Sequence, residues 1–330
     1  MNYLVTGGAG FIGSNLVHVL AREGHRVTVL DDLSTGKLEN LAESSEGLAA
    51  GGGQLSAGLD GRVALAVGSV SDADFVMRHA AGMDGIFHLA AVASVQRSME
   101  EPAACHAVNV TGTLNVLEAA RVLGVKRVVL SSSAAVFGDN PELPLRSDSR
   151  TGPISPYGLH KLMCEQYGKL YTACGWTEAT ALRYFNVFGP RQDPNGEYAA
   201  VVPRFITALL AGRRPKVFGD GLQTRDFLYV EDVVRANLAA MLCPDAAGRV
   251  LNLCAGRETS LLDLLDALAG VTGKRPEPEF LAPREGDIRR SFGSGDEAVR
   301  LLGLPPWTSI AKGLAESVEF FLRKDLDEQA

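Results

Sequence analysis

Tyr157 and Lys161 stand four positions apart in Ser155-Pro156-Tyr157-Gly158-Leu159-His160-Lys161, so a helix there puts a phenol and an ammonium on one face. A phenol has a pKa of about 10, which leaves on the order of one molecule in a thousand ionised at pH 7. A neighbouring ammonium favours the phenolate, and each unit by which the pKa falls corresponds to roughly 1.4 kcal/mol. The pair is therefore expected to act as a general base toward a substrate hydroxyl, with Tyr157 taking the proton. Ser133, which closes the run Ser131-Ser132-Ser133, is the third candidate catalytic residue and can share that proton. A Tyr-x-x-x-Lys spacing alone is also what an ordinary helix surface offers, so its weight comes from its company.

That company is Thr6-Gly7-Gly8-Ala9-Gly10-Phe11-Ile12-Gly13, which follows the apolar run Tyr3-Leu4-Val5 and precedes a helical pattern over 15–23. Strand, glycine turn and helix start in that order form a cradle for the phosphates of a dinucleotide. Glycine lets the pyrophosphate approach without meeting a Cβ, and the helix N-terminus presents free N–H groups and a partial positive charge. Gly7, Gly10, Phe11, Ile12 and Gly13 are thus expected to bind a cofactor. A second apolar run, Val27-Thr28-Val29-Leu30, ends at Asp31. A carboxylate there accepts from a ribose 2′-hydroxyl and repels a 2′-phosphate, which favours NAD over NADP; it can equally cap a helix or brace a turn. Asp32, Ser34, Thr35 and Gly36 read as the adenosine-side loop. A positive nicotinamide ring would add to the ammonium in lowering the pKa of Tyr157, and Lys161 can also hold the nicotinamide ribose.

These groups need a sheet to carry them. Apolar runs at 63–67, at Ile86-Phe87-His88-Leu89-Ala90-Ala91, at Arg127-Val128-Val129-Leu130 leading into the serine run, and at 179–185 read as further strands. Ala90 and Ala91 leave room for a cofactor on the strand ends, and His88 reads as a core or strand-end residue. Val110, Leu114 and Leu117 mark an amphipathic helix. Alternating strands and helices predict an α/β fold, a Rossmann-type doubly wound parallel sheet. Residues 42–61, rich in Gly, Ala and Ser, read as a mobile surface loop. From 186 onward Pro and Gly become frequent, and Arg204, Arg213, Arg214 and Arg225 cluster. The expected division is a dinucleotide-binding domain over 1–185 and a smaller C-terminal α/β substrate-binding domain over 186–330, with 226–251 returning to the first.

A net charge of −7 provides no global basic field, so nucleic acid and anionic membranes are not expected partners. No run approaches a membrane span, and the N-terminal strand has no signal-peptide layout. Five cysteines (105, 164, 174, 243, 254) without close pair spacing read as reduced thiols of a cytoplasmic protein, with no zinc site. The six histidines are scattered, and no metal is expected.

The chain resembles the extended short-chain dehydrogenase/reductase family, and within it the nucleotide-sugar 4-epimerases, over nearly its whole length. The resemblance is carried by the glycine motif, Asp31, His88-Leu89-Ala90-Ala91, Ser133, Tyr157 with Lys161, Leu182-Arg183-Tyr184-Phe185-Asn186-Val187-Phe188-Gly189, Arg225-Asp226 and Arg284-Glu285-Gly286-Asp287. It implies a Rossmann fold, tightly held NAD, a UDP-sugar substrate and a homodimer through helices beginning near 102 and 156. It adds Ser69, Val70, Leu89, Ala90, Ala91, Asn109, Ser131, Tyr184 and Phe185 to the cofactor residues, beside Tyr157 and Lys161. It assigns substrate binding to Ser94, Ser133, Tyr157, Asn186, Ala200, Val201, Val217, Phe218, Arg225, Arg284, Asp287 and Ser291. Arginine forks suit a pyrophosphate, and Val217 and Phe218 are placed near the uracil. The implied reaction moves a hydride from the sugar C4 to NAD⁺ as Tyr157 takes the 4-hydroxyl proton. The keto sugar then turns over and receives the hydride on its other face.

Family members that dehydrate or decarboxylate carry an acid just after the active-site serine or threonine; this chain has Ala134 and Ala135. The resemblance also places a gate at Ser291, where a small residue admits an N-acetyl group and a bulky one excludes it. The segments Ala93-Ser94-Val95-Gln96-Arg97-Ser98 and Arg191-Gln192-Asp193-Pro194-Asn195-Gly196 resemble the subgroup that prefers UDP-N-acetylhexosamines or their uronic acids. UDP-GlcNAc/UDP-GalNAc interconversion is the favoured reading, with UDP-glucose/UDP-galactose as a further substrate. The alternatives are an epimerase of UDP-glucose only, a UDP-uronic acid epimerase or decarboxylase, and a non-catalytic NAD-binding regulator. Two positions depart from the pattern. Gly68-Ser69-Val70 stands where an adenine-contacting Asp is common, and Phe137 stands where a tyrosine is.

Overall fold

A computed structural model describes residues 1–42, 49–51, 54–57, 61–195, 200–275, 277–283 and 288–329. In chain order the strands of the first part are β1 (Asn2–Thr6), β2 (Arg26–Asp31), β3 (Ala49–Gly51), β4 (Gln54–Ala57), β5 (Val63–Val67), β6 (Gly85–His88), β7 (Arg127–Ser133) and β8 (Glu178–Tyr184). Then come β9 (Asn186–Phe188), β10 (Lys216–Phe218), β11 (Thr224–Arg225), β12 (Phe227–Tyr229) and β13 (Val250–Leu253), followed by β14 (Thr259–Ser260), β15 (Glu279–Leu281) and β16 (Arg290–Ser291). One sheet runs in the order β13-β8-β7-β6-β1-β2-β5-β4-β3, parallel from β13 to β5.

The strand sequences explain why this sheet is covered on both faces. Val5, Val29, Phe87, Val129, Leu182 and Leu251 enter one apolar core, while Leu4, Leu30, Ile86, Val128, Ala181 and Val250 enter the other. Adjacent residues in a strand point to opposite faces, so such doubly apolar runs must be buried on both. The first core is closed by Leu16, Val17 and Leu20 of the helix Phe11–Arg22 and by Val233, Val234 and Ala240 of the helix Val230–Leu242. The second is closed by Val116, Leu117 and Ala120 of the helix Gly112–Leu123, Val76 and Ala80 of Ala73–Ala80, and Tyr171 of Pro156–Ala173. β1 lies between β6 and β2; the chain runs outward from β1 through β2 to β5 and then crosses back to β6 on the other side of β1, so the strand order reverses there and a crevice opens at the carboxyl ends of these strands.

Several boundaries differ from the sequence reading. The first helix begins at Phe11, directly on the glycine turn, and β7 runs on through Ser133. β8 ends at Tyr184, which leaves Phe185 beyond the strand. The expected loop over 42–61 contains an edge hairpin: β4 pairs antiparallel with β5, Leu55 opposite Leu65, and β3 pairs with β4. Small residues carry no periodic signal, yet their backbone satisfies the open N–H and C=O groups along β5. Residues 43–48, 52–53 and 58–60 of that stretch lie outside the described residues.

The C-terminal part builds its own core from Phe188, Phe205, Ile206, Leu209, Val217, Tyr229, Leu264, Leu268, Leu314 and Phe321. Short parallel pairs, β12 with β9 and β10 with β15, and the three-stranded β14-β11-β16 carry its loops. The chain recrosses to the large sheet through the helix Val230–Leu242 and β13, whose Val250 pairs with Ala181, and again through the helix Asp296–Leu302. All five cysteines are free. No helix among the described residues is long and apolar enough to cross a membrane.

Candidate active site

A cavity of about 460 Å³ opens along the carboxyl ends of the parallel strands. Its wall brings together Gly7, Gly10, Phe11, Ile12, Gly13, Asp31, Asp32, Ser34, Thr35, Ser69, Val70, Leu89, Ala90, Ala91, Ser131, Ser133, Tyr157, Lys161, Tyr184, Phe185 and Asn186. The three motif glycines do different things. Gly7 turns at φ +69°, and a Cβ there would meet the Ala90 backbone nitrogen at 2.6 Å. At Gly13 a Cβ would stand 2.1 Å from the Gly7 carbonyl oxygen, so the absence of a side chain lets the helix start directly on the turn. Gly10 has extended backbone (φ −78°), and among the described residues beyond its chain neighbours the atom nearest its missing Cβ is the Gly7 oxygen at 3.2 Å. The bare backbone at Gly10 therefore serves the cavity. This cradle at a helix N-terminus fits a dinucleotide's phosphates.

Asp31 is buried at the cavity wall, and the turn-bracing role open in the sequence is the one its bonds show. Its Oδ2 accepts from Ala9 N (2.9 Å) and its Oδ1 from Leu33 N (2.9 Å), which braces the turn, while the carboxylate keeps lone pairs for a ribose hydroxyl. Burial pushes its pKa up, against those two backbone bonds. Leu33 adopts φ 57°, a left-handed conformation that a branched side chain rarely takes. Gly36 sits against the Asp31 carboxylate, outside the cavity wall. Ser69 Oγ lies 2.9 Å from Ser71 Oγ, so the position that departs from the family pattern already has a local partner.

The catalytic corner is built by the helix Pro156–Ala173. Ser155 caps it by accepting from Gly158 N (3.1 Å), and Pro156 occupies its first turn. Tyr157 N donates to Ser98 Oγ (3.0 Å), which ties the helix start to the helix Val95–Glu100. Lys161 is buried and donates from Nζ to Ser131 O (2.8 Å) and Ser131 Oγ (3.1 Å); its Nζ lies 6.0 Å from the Tyr157 ring centroid. The expected lowering of the Tyr157 pKa is not what the protein alone provides. Burial raises it, opposed by a hydrogen bond with Ser133, and Cys164 adds to the rise. The reason is geometric: the ammonium is committed to Ser131, one helical turn from the phenol, while the phenol has lost its water. Lys161 is itself shifted down by burial.

His88 is structural. Thr113 spends its proton on Asn109 O (2.6 Å), so it accepts from His88 Nε2 (2.9 Å); His88 Nδ1 then accepts from the Thr6 hydroxyl (2.7 Å). Burial, and secondarily Lys161, lower the His88 pKa to about 3, in agreement with this neutral tautomer. Asn109, expected at the cofactor, lies behind the wall instead. It accepts from Val92 N (2.7 Å) and donates to Val92 O (3.1 Å), bracing the segment that leaves β6. It sits in a π-helical turn, Ala107–Thr111, whose backbone offset no sequence pattern signals.

Of the expected substrate residues that the structure describes, Ser133, Tyr157 and Asn186 line the cavity, and Ser94, Ala200, Val201, Val217, Phe218, Arg225 and Ser291 stand outside its wall. Ser94 caps the helix Val95–Glu100 by accepting from Arg97 N (3.0 Å). Ala200 and Val201 start the helix Val201–Leu210, and Val217 is buried beside Phe218 in β10. Arg225 donates to Thr224 O (2.8 Å) and Ile288 O (2.7 Å), and it pairs in register with Ser291. Arg284 and Asp287 lie outside the described residues. Among the described residues no group of three His, Cys, Asp or Glu side chains is placed to hold a metal. Sequence reasoning missed Thr6, which bonds His88; Ser98, which holds Tyr157 N; Gln192, which also lines the cavity; and the buried pair Glu165–Arg183. A charged residue inside the apolar strand Ala181-Leu182-Arg183-Tyr184 was the available signal for the last.

A family model described as NAD dependent epimerase/dehydratase family matches residues 3–254. UDP-glucose 4-epimerase of Mycolicibacterium smegmatis is 43% identical over 328 residues, covering 98% of this chain and 99% of the relative. Among solved structures, UDP-N-acetylglucosamine 4-epimerase from Methanobrevibacter ruminantium M1 in complex with UDP-N-acetylmuramic acid is similar at a TM-score of 0.89 and 35% identity, over 98% of both chains. UDP-glucose 4-epimerase with UDP-glucose from Thermotoga maritima is similar at a TM-score of 0.88 and 39% identity, over 99% of this chain and 100% of that one.

Proposed function

This chain belongs to the NAD dependent epimerase/dehydratase family, and from that membership and the cavity's geometry we propose that it interconverts the C4 epimers of a UDP-hexose. The observation that carries the reading is one cavity wall that joins the glycine cradle and Asp31 to Ser133, Tyr157 and Lys161. NAD, when bound, supplies the redox chemistry the side chains lack, as a reversible hydride acceptor. Gly7, Gly10 and Gly13 with the helix Phe11–Arg22 hold its phosphates, and Asp31 holds the adenosine ribose. Tyr157 takes the proton of the sugar 4-hydroxyl and gives it back, with Ser133 sharing that proton through its hydrogen bond. Lys161, fixed on Ser131, would hold the nicotinamide ribose, and the positive nicotinamide ring, when NAD is bound, would favour the phenolate. Ala134 and Ala135 follow Ser133, so no carboxylate stands there to remove a C5 proton, which supports simple epimerisation.

UDP-GlcNAc/UDP-GalNAc is the substrate pair we favour, because the gate position holds the small Ser291; UDP-glucose/UDP-galactose is accepted too. The names of the relatives include epimerases of both pairs and do not separate them. Arg225, Ser291, Val217 and Phe218, together with Arg284 and Asp287, are the proposed UDP-sugar grip. Exposed Val95, Met99, Leu159 and Leu170 on and beside the helix Pro156–Ala173 support a homodimer through this side. The test is to offer the purified protein UDP-glucose, UDP-galactose, UDP-GlcNAc and UDP-GalNAc and to separate the products. C4 epimers without net NADH are expected. Stoichiometric NADH, or a product that has lost water or CO₂, would overturn the reading.

A further inference from the structure

Beneath the serine run lies a charged pair that the proposed reaction does not use. The Glu165 side chain has no exposure and that of Arg183 has 4%. Glu165 Oε1 accepts from Ser132 Oγ (2.5 Å) and Arg183 Nε (2.8 Å), and Oε2 accepts from Arg183 Nη2 (2.8 Å). Arg183 Nη1 donates to Ser147 O (3.0 Å), and the guanidinium stands 4.6 Å from the Phe137 ring centroid. Stability does not account for this pair, since well-packed apolar side chains of like volume commonly serve a core as well as a buried ion pair does. Hydrogen bonds supply something apolar contact lacks, because they weaken steeply off their preferred length and angle and so fix registry.

The registry fixed here is that of the catalytic corner. Ser132 pairs directly with Arg183 across β7 and β8, so one carboxylate joins both strands to its own helix. Ser132 is flanked by Ser131, which accepts from Lys161, and by Ser133, the partner of Tyr157. On the helix, Lys161 lies one turn and Tyr157 two turns before Glu165. We propose that Glu165, clamped by Ser132 and Arg183, is a positioning residue of the reaction, setting where Tyr157 and Lys161 stand against the serine strand. The inference rests on the reading of Tyr157 and Lys161 as the reacting pair. Electrostatics agree with it: burial draws the Lys161 pKa down, while Cys164 and Glu165 hold it up.

The test compares wild type with Glu165→Gln and with the double variant E165M/R183M, which removes both charges and keeps most of the volume. Each is the full chain loaded with NAD. Lys161 is followed by NMR of ¹⁵Nζ-labelled lysine, and kcat and KM are measured across pH. In Glu165→Gln, Lys161 is expected to lose its proton at lower pH, and the alkaline limb of kcat moves the same way. kcat falls about ten- to a hundredfold, as a misplacement near 1 Å produces, while KM stays within about twofold and NAD is retained. The double variant is expected to fold and to remain slow, with the same displaced Lys161 titration. A folded variant with wild-type kcat and an unmoved Lys161 titration overturns the assignment. So does a double variant that cannot fold, because the pair would then be a requirement of the core. The Lys161 titration needs no substrate, so it reads the placement separately from failure of the wild type to epimerise any UDP-sugar.

Discussion

Gly10→Ala separates the cradle's service to its ligand from its service to the fold. Gly10 already has φ −78° and ψ −179°, which alanine adopts freely, and among the described residues beyond its chain neighbours the added Cβ would meet the Gly7 carbonyl oxygen, at 3.2 Å. A shift of a few tenths of an ångström accommodates that, so the fold should lose no more than about 1 kcal/mol, the scale of a mildly crowded surface site. The new methyl then occupies the space between cradle and phosphates. One charge-assisted hydrogen bond from a backbone N–H is worth about 1.5–3 kcal/mol, so NAD affinity should fall by a factor of about 10–150. Gly13→Ala is the contrast. Its Cβ would lie 2.1 Å from the Gly7 oxygen, and no side chain is there to yield, so both thermal stability and NAD binding should fall. The assay is calorimetric titration of cofactor-free protein with NAD beside thermal unfolding of the same samples. If Gly10→Ala bound NAD as wild type does, or were destabilised as much as Gly13→Ala, the division of labour among the glycines would be wrong.

Tyr157→Phe should reduce turnover by a factor of about 10²–10⁴ while bound NAD survives gel filtration, and activity within a few fold of wild type would remove Tyr157 as the base. His88 is neutral in the fold, its pKa lowered to about 3 from 6.5. The native protein therefore refuses a proton that the unfolded chain accepts below pH 6.5. The stability tied to neutral His88 is complete above that pH and is lost as pH falls toward 3, at up to about 1.4 kcal/mol per pH unit. Between pH 7 and 5, urea unfolding should show wild type losing about 2 kcal/mol more than His88→Gln; parallel curves would contradict a neutral His88 in the fold. Ser291→Tyr should lower kcat/KM for UDP-GlcNAc relative to UDP-glucose by about tenfold or more, and an unchanged ratio would dismiss the gate.

What could be read from the residues in order was whatever short-range chemistry dictates. Gly7, Gly10 and Gly13 between an apolar run and a helical pattern announce a strand-turn-helix, because turn geometry and free helix N–H groups depend on neighbours in the chain. Doubly apolar runs at β1, β2, β6 and β7 announce a parallel sheet buried on both faces. The i, i+4 spacing of Tyr157 and Lys161 announces a shared helix face.

Other features depend on partners far apart in sequence, and only the folded chain decided them. Ala49–Gly51 and Gln54–Ala57 became strands because the edge of β5 needed a hydrogen-bonding partner, which no propensity of Gly and Ala predicts. Asn109, in a π-helical turn, came to bond the backbone of Val92, seventeen residues earlier in the chain. Tyr157 gained a raised pKa instead of a lowered one, since titration answers to lost water and to the distance of an ammonium already held by Ser131. Glu165 met Arg183 only when helix and strand were packed together. The sequence by itself determined the cradle, the sheet and which side chains are candidates for the reaction, all set by bonds and spacings within a few residues. The tertiary structure alone decided burial, and with it the charge state and partner of each group, because desolvation and Coulomb energy depend on every atom that the fold brings near.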